Sequence, residues 1–355
     1  MIVLDSIIYE LQRAGGISEL WTSILSHMAG QADLDFRVLD GAGAAINRSS
    51  PDGILERMRV VETGPLLLRR YMPARVPKDT KVFHSSYLRV ANDCAVTNIT
   101  TIHDFIYDKF DNGVPKLIHR KQREVALQRS ELIICVSENT KTDLLNFYPE
   151  LANREIRVIH NGVNPVYYEK GKPEDQSQIE APYLLYVGGR GKHKNFSMCL
   201  DVLLRQDSVG EDLKLCVVGG GKFTREELKK MDRLGVKSKV RHLGTISDET
   251  LAHFYRNAFA LIFPSFYEGF GIPPLEAMAA GCPVMCSDKS SIPEVVGKSG
   301  AYFDPTCIDS AVSALELLTD SKYRDEIIKS GLQRVKSFSW ERTAKATVDA
   351  YRDYL

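Results

Sequence analysis

Short apolar runs alternate with longer amphipathic stretches along the whole chain. Runs at residues 2–4, 36–39, 60–62, 81–85, 97–102, 132–136 and 156–160 predict strands. Between them, apolar residues three and four apart predict helices, the first over 18–28. A second series follows at 183–187, 213–218, 240–243, 260–263, 283–286 and 301–303. Strands that are apolar throughout, separated by helices, predict parallel sheets covered on both faces, an α/β architecture. Ser137 and Ser247 stand where helix N-caps belong. Segment 40–51, rich in Gly, Ala, Asn and Ser, reads as a loop.

The 355 residues suit two domains. Residues 168–182 are polar and charged, contain two prolines and show no period, as an interdomain linker would. The expected division is 1–167 and 168–339. The last stretch, 340–355, carries apolar residues at 344, 348, 351 and 355, a helical face that needs a partner.

Charge changes this picture little. Lys+Arg and Asp+Glu both number 46, so the balance carries no footprint of nucleic-acid binding. Seven cysteines, several within apolar runs, read as buried reduced thiols of a cytosolic protein. Cys282 and Cys286 are too isolated for a metal site. The first residues lack the basic region of a signal peptide, and no apolar run approaches a membrane span. The expectation is a cytoplasmic protein. Segments 66–78 and 116–123 mix basic and apolar residues. They can rest peripherally on anionic lipid at the inner face of a membrane, or on a lipid-diphosphate acceptor; the plainer reading is a solvated helix face and a loop.

Candidate chemistry gathers where strands end, the place where α/β sheets build sites. Gly15-Gly16 follows the first strand. His103-Asp104 ends the run 97–102, where an imidazole can bind a substrate hydroxyl or stabilise charge. Gly188-Gly-Arg190-Gly-Lys-His-Lys194-Asn195 puts glycines and cations at a strand-to-helix turn, a cradle for diphosphate without the signature of a P-loop. Gly219-Gly-Gly221 alone is a weak signal. The most organised stretch is Phe263-Pro-Ser-Phe-Tyr-Glu268-Gly-Phe-Gly-Ile-Pro-Pro-Leu-Glu276-Ala-Met-Ala-Ala-Gly281. A strand feeds a Gly turn, Pro273 and Pro274 open a helix, and Gly281 closes it. Helix N-termini favour anions, so the two carboxylates, Glu268 in the turn and Glu276 in the first helical turn, call for another partner. Sugar hydroxyls fit, since a carboxylate accepts two hydrogen bonds.

That stretch closely resembles the donor-site signature of the family-four retaining glycosyltransferases. The resemblance extends over almost the whole chain: Gly15-Gly16, Thr101-Ile-His-Asp104, Val136-Ser-Glu138, Val158-Ile-His-Asn-Gly-Val163, Lys194-Asn195 and Ile292-Pro-Glu-Val295 occur in order. It implies a GT-B fold, two Rossmann-like domains facing each other across a cleft, with the last helix crossing back to the N-terminal domain. It also implies transfer of a hexose from a UDP- or GDP-sugar, with retained anomeric configuration, to a glycan or lipid-linked glycan in polysaccharide biosynthesis. No cofactor or metal is implied.

By the same resemblance Glu276 takes the ribose hydroxyls and Glu268 the donor sugar. The amides of Gly269, Phe270, Gly271 and Ile272 hold sugar or diphosphate. Lys194, with Arg190, neutralises the leaving diphosphate. His103 stands beside the sugar, the Gly16 loop closes over the phosphates, and the base lies near 241–246. Arg190 stands four residues before Lys194, where the family often has five. Rival readings are a non-catalytic nucleotide-sugar-binding module, and an epimerase or phosphorylase of the same architecture. An NAD-dependent oxidoreductase would need a Gly-x-Gly-x-x-Gly after a first strand, which neither half offers.

Overall fold

The computed structural model describes residues 1–12, 15–41, 58–169, 182–206, 210 and 212–355. Most of the loop expected over 40–51 and of the linker expected over 168–182 lies outside the described residues. The chain forms two compact units, Met1–Gly162 with Ser339–Leu355, and Val163–Phe338.

The first unit holds strands β1 (Ile2–Asp5), β2 (Phe36–Gly41), β3 (Arg59–Glu62), β4 (Val82–Ser85), β5 (Thr97–Ile102), β6 (Ser130–Cys135) and β7 (Glu155–Val158). They pair in parallel in the order β3-β2-β1-β4-β5-β6-β7. The second unit holds β8 (Tyr183–Val187), β9 (Lys214–Val218), β10 (Val240–Gly244), β11 (Ala260–Phe263), β12 (Val284–Ser287) and β13 (Gly300–Phe303), parallel in the order β10-β9-β8-β11-β12-β13. Both orders reverse direction next to the unit's first strand, which creates a crevice beyond the strand ends. In the first unit that point lies between β1 and β4, in the second between β8 and β11.

The helices that bear on function are α1 (Gly16–Ala29), α2 (Leu66–Tyr71), α3 (Val114–Gln128), α4 (Phe196–Leu204), α5 (Arg225–Leu234), α6 (Asp248–Asn257), α7 (Ile272–Ala279) and α8 (Trp340–Arg352). Ser137 caps its helix by accepting from the Thr140 amide at 3.0 Å, and Ser247 caps α6 through the Thr250 amide at 3.3 Å. Ser339 caps α8. From α8, Ala344, Val348 and Tyr351 join Trp21, Ile24, Leu25 and Met28 of α1 in one buried cluster. Each large apolar side chain buried this way contributes about 1.5–3 kcal/mol. Leu355, the last apolar residue of the expected face, lies beyond the helix and is exposed.

Beneath α8, Tyr351 Oη lies 2.7 Å from His84 Nδ1, whose Nε2 lies 2.9 Å from Thr101 Oγ1. The Trp21 indole packs edge-on against the same imidazole. Burial, and then the neighbouring His103, push the His84 pKa down to about 3. His84 is therefore a neutral bridge between β4, β5 and α8.

Candidate active site

Two turns meet at the crevice of the second unit, and sheet topology puts them there. β8 and β11 are neighbours; one feeds the turn with Lys194, the other the turn with Glu268. The Phe266 amide donates to the His193 carbonyl at 2.8 Å, joining the turns through the backbone. Lys194 Nζ then reaches both oxygens of Glu268, at 2.7 and 2.8 Å. The ammonium also lies 5.5 Å from the centre of the Phe263 ring. The sequence reading gave Lys194 and Glu268 separate tasks. In the free protein they form one ion pair, with side chains 19% and 9% exposed. A carboxylate held at both oxygens is fixed in orientation.

The serines after β12 hold the Glu268 turn. Ser290 Oγ accepts from the Glu268 amide at 3.2 Å and donates to the Glu268 carbonyl at 2.6 Å. Ser291 Oγ lies 2.9 Å from the Glu268 carbonyl and 2.8 Å from that of Phe270. Ser290 itself sits at φ +60, a conformation rare for a residue with a side chain. Serine hydroxyls thus hold two carbonyls and one amide of the turn. Gly271 caps α7 at φ +108, which glycine adopts without strain. The first amides of a helix lack intrahelical partners. Pro273 and Pro274 have none to offer, which leaves those of Gly271 and Ile272 as the donors at this end.

Arg190 does something other than the sequence reading assigned. Its Nε donates to Glu227 at 2.8 Å, and its Nη atoms to the carbonyls of Gly219, Gly221 and Lys222 at 3.1, 3.1 and 2.8 Å. The guanidinium lies 4.8 Å from the centre of the Phe223 ring, and the side chain is 4% exposed. This side chain braces the loop after β9 rather than standing ready for a diphosphate. The spacing departure is felt here: Arg190 stands one residue farther from β8 than the five-residue spacing would put it, and its side chain reaches the neighbouring loop. The glycines of that loop also gain a task. Gly220 has φ +72, and a Cβ there would fall 2.6 Å from Arg190 Nη1.

Glu276 is the fifth residue of α7, in its second turn rather than its first. Its Oε2 accepts from the fully buried Tyr255 of α6 at 2.8 Å. Tyr167 also interacts with Glu276, and its hydroxyl lies 3.2 Å from Asp248 Oδ1. Burial first, and then Glu276, raise the pKa of Tyr255, so its proton stays in place as a donor. The segment 241–246 leaves the sheet along β10, where the Gly244 carbonyl accepts from the Gly219 amide at 2.8 Å.

His103 and Gly16 belong to the first unit. Gly16 is the first residue of α1, and Ser18 Oγ donates to the Gly15 carbonyl at 2.8 Å. His103 directly follows β5. Ile17 and His103 line one cavity of about 150 Å³ together with Tyr87, Tyr107, His119 and Arg123. Burial lowers the His103 pKa to about 4. Its imidazole is neutral near pH 7 and can orient a hydroxyl, but presents no cation there. His119 stacks on Tyr107 at 4.3 Å and lies 2.9 Å from Arg123 Nη2. Among the described residues, no group of three His, Cys, Asp or Glu is placed to hold a metal ion.

Tyr255, Ser290 and Ser291 had no role in the reading from sequence. Only the hydroxyl of Tyr255 is chemical; its ring fits the apolar face of α6. The serine pair falls in an ordinary loop, and nothing in its local sequence marks it.

Residues 169–334 match the profile of the family described as Glycosyl transferases group 1, and residues 60–167 that of Glycosyltransferase Family 4. The O-antigen chain mannosyltransferase B of Escherichia coli is 31% identical over 267 residues, 72% of this chain and 70% of that protein. The O-antigen chain mannosyltransferase RfbU of Salmonella typhimurium is 30% identical over 246 residues, 66% of each chain. Among solved structures, Anabaena Alr3699/HepE in complex with UDP and glucose superposes with a TM-score of 0.73 at 16% identity, covering 99% of both chains. WaaG, a glycosyltransferase involved in lipopolysaccharide biosynthesis, superposes with a TM-score of 0.70 at 16% identity and the same coverage.

Proposed function

The chain belongs to the group 1 glycosyltransferases, with two Rossmann-like units of the GT-B type, and from that premise we propose that it moves mannose from a nucleoside-diphosphate donor to a growing surface polysaccharide. The choice of mannose rests on the two O-antigen relatives, both named mannosyltransferases. The acceptor, by the same reasoning, is a glycan or a lipid-linked glycan.

One observation carries the reading: a Lys–Glu pair joins neighbouring turns at the crevice of the second unit, and a second, tyrosine-held glutamate stands on the helix that follows. Glu276 takes the ribose hydroxyls. The amides of Gly271 and Ile272, with those of Gly269 and Phe270, face the diphosphate or sugar at the helix N-terminus. Negative charge grows on the diphosphate as the glycosidic bond loosens. Lys194 answers it, turning from Glu268, whose carboxylate then binds sugar hydroxyls. Transfer proceeds with retention, the acceptor attacking from the face the diphosphate leaves, and a departing phosphate oxygen takes its proton. Glu268 is poorly placed as a nucleophile, because its carboxylate is then engaged by sugar hydroxyls. Neutral His103 orients a sugar hydroxyl. The charge term is met by protein groups, and no metal is required.

A donor panel tests this. Purified protein is incubated with GDP-mannose, UDP-glucose and UDP-galactose, and nucleotide release is measured with and without a chelator. GDP release unaffected by the chelator is expected, with Lys194→Ala and Glu276→Ala each losing about a hundredfold or more in kcat/KM. Near-normal turnover in either variant overturns the site. Release from a UDP-sugar alone overturns the choice of mannose.

A further inference from the structure

Two tyrosines converge on Glu276 from two different elements. Tyr255 of α6 is fully buried and donates to Oε2 at 2.8 Å. Tyr167 is 2% exposed and ends a single helical turn, Pro165–Tyr167, that packs against α6 and α7. Its ring meets that of Tyr255 edge-on, with centroids 5.8 Å apart. Asn164 opens the turn, its side chain accepting from the Val166 amide at 3.1 Å.

The Tyr167 hydroxyl stands between two carboxylates. It donates to Asp248 Oδ1 at 3.2 Å and also interacts with Glu276. Asp248 is the exposed first residue of α6, and its Oδ2 accepts from Asn164 Nδ2 at 3.4 Å. Burial first, and then Glu276 and Asp248, raise the Tyr167 pKa, so the hydroxyl keeps its proton. A phenol has one proton to give. It can serve Asp248 or Glu276 fully, but not both.

The two carboxylates differ in what else can satisfy them. Asp248 meets water at a helix N-terminus, where negative charge is favoured. Glu276 has Tyr255 on one oxygen, and ribose hydroxyls would bring it further donors. A carboxylate accepts at about four positions. A tyrosine that stayed on Glu276 would hold one that ribose needs; Asp248 gives it somewhere else to turn.

We propose that Tyr167 is a positioning residue with two settings, its proton shared between Asp248 and Glu276 until ribose binds and given wholly to Asp248 afterwards. Before binding it helps to orient the carboxylate. As ribose arrives it withdraws, and Asp248 receives it. Asp248 thereby sets how well the site distinguishes a ribonucleotide from one that lacks ribose hydroxyls. The inference rests on Glu276 taking the ribose, as proposed above.

Calorimetric titration with GDP and UDP, each against its 2′,3′-dideoxy counterpart, tests it. The readout is the preference for ribose, the dideoxy Kd divided by the ribonucleotide Kd, for whichever base binds more tightly. Asp248→Ala should lower that preference about three- to tenfold, because the Tyr167 proton loses its alternative to Glu276. Asp248→Asn keeps an acceptor oxygen and should stay near the parent. Adding Tyr167→Phe to Asp248→Ala removes the competing donor and should bring the preference back. A general loosening of α6 would weaken both nucleotides alike and leave the preference where it was. An unmoved preference in Asp248→Ala, or a double variant no better than the single, overturns the proposal. Glu276→Ala separates it from the reading beneath. If that variant prefers ribose as strongly as the parent, Glu276 does not bind ribose and both fall. If it loses the preference while Asp248→Ala keeps it, only the two settings of Tyr167 fail.

Discussion

The Tyr255 hydroxyl fixes one oxygen of Glu276 from a fully buried ring. Its loss removes one of the groups that orient the carboxylate before the ribose arrives, Tyr167 remaining beside it. Tyr255→Phe is expected to raise the Kd for the preferred nucleoside diphosphate by about three- to tenfold, with kcat little changed, as calorimetric titration and steady-state kinetics would show. An unchanged Kd would mean that Tyr255 merely packs. The Lys194–Glu268 pair permits a sharper test. Lys194→Met strands a carboxylate 9% exposed and should cost about 1–3 kcal/mol of stability. Adding Glu268→Gln should restore part of it, so a double-mutant cycle in urea reads the coupling directly. Additive losses would mean no working pair. Both glutamates and Lys194 were visible in the sequence because glycines, prolines and strand ends frame them. Their pairing was not, since contact between two turns follows from β8 and β11 being neighbours. Arg190 misled for the same reason: its cation is legible in one dimension, but the loop carbonyls that occupy it belong to the next strand.

At the scale of elements, the strands were the most legible part. A strand covered by helices on both faces must be apolar throughout, so each run marks itself and little else competes for the pattern. The strand order is set by packing across the sheet and had to be observed. Helix α2 was missed as a helix. Six residues with two adjacent arginines and an exposed leucine face carry no amphipathic period directed at a core. The C-terminal helix was legible as an unsatisfied face, and the structure shows what fixes its start. A Cβ on Gly162 would lie 2.1 Å from the Trp340 amide nitrogen and 2.3 Å from the Ser339 carbonyl carbon. Backbone cannot yield as a side-chain tip can. Gly162→Ala should therefore lift the first turn of α8 from its seat, where Thr343 Oγ1 donates to the His160 carbonyl at 2.7 Å. The expected loss is about 1–3 kcal/mol, with faster proteolysis near residue 339. Gly189→Ala, where a Cβ would meet nothing within 4 Å, serves as the neutral control; equal melting temperatures for the two would refute the clash.

Across the whole molecule, acid should act first through the first unit. His84, His103 and His119 are lowered to about 3, 4 and 4, each mainly by burial. Arg123 adds to the burial of His119, and Asp108 opposes it. Unfolded, each would titrate near 6.5. Between the folded and unfolded values the unfolded chain binds more protons, so stability rises with pH and is lost as pH falls below about 6.5. Each histidine can contribute up to about 1.4 kcal/mol per pH unit in that window, less for the half-buried His119. Two carboxyls work against the trend. Burial raises Asp5 and Asp40, so their folded forms take up protons earlier than the unfolded chain and flatten the loss toward pH 4. Urea unfolding between about pH 8 and pH 5 should give a level stability above pH 7 and a steepening fall below 6.5. His119→Gln should make that fall shallower without removing it, because His84, locked between Tyr351 and Thr101, remains. A stability that stays flat or rises as pH drops from about 6.5 to 5 would mean that the buried histidines do not dominate the acid response and that the raised carboxyls of Asp5 and Asp40 offset them.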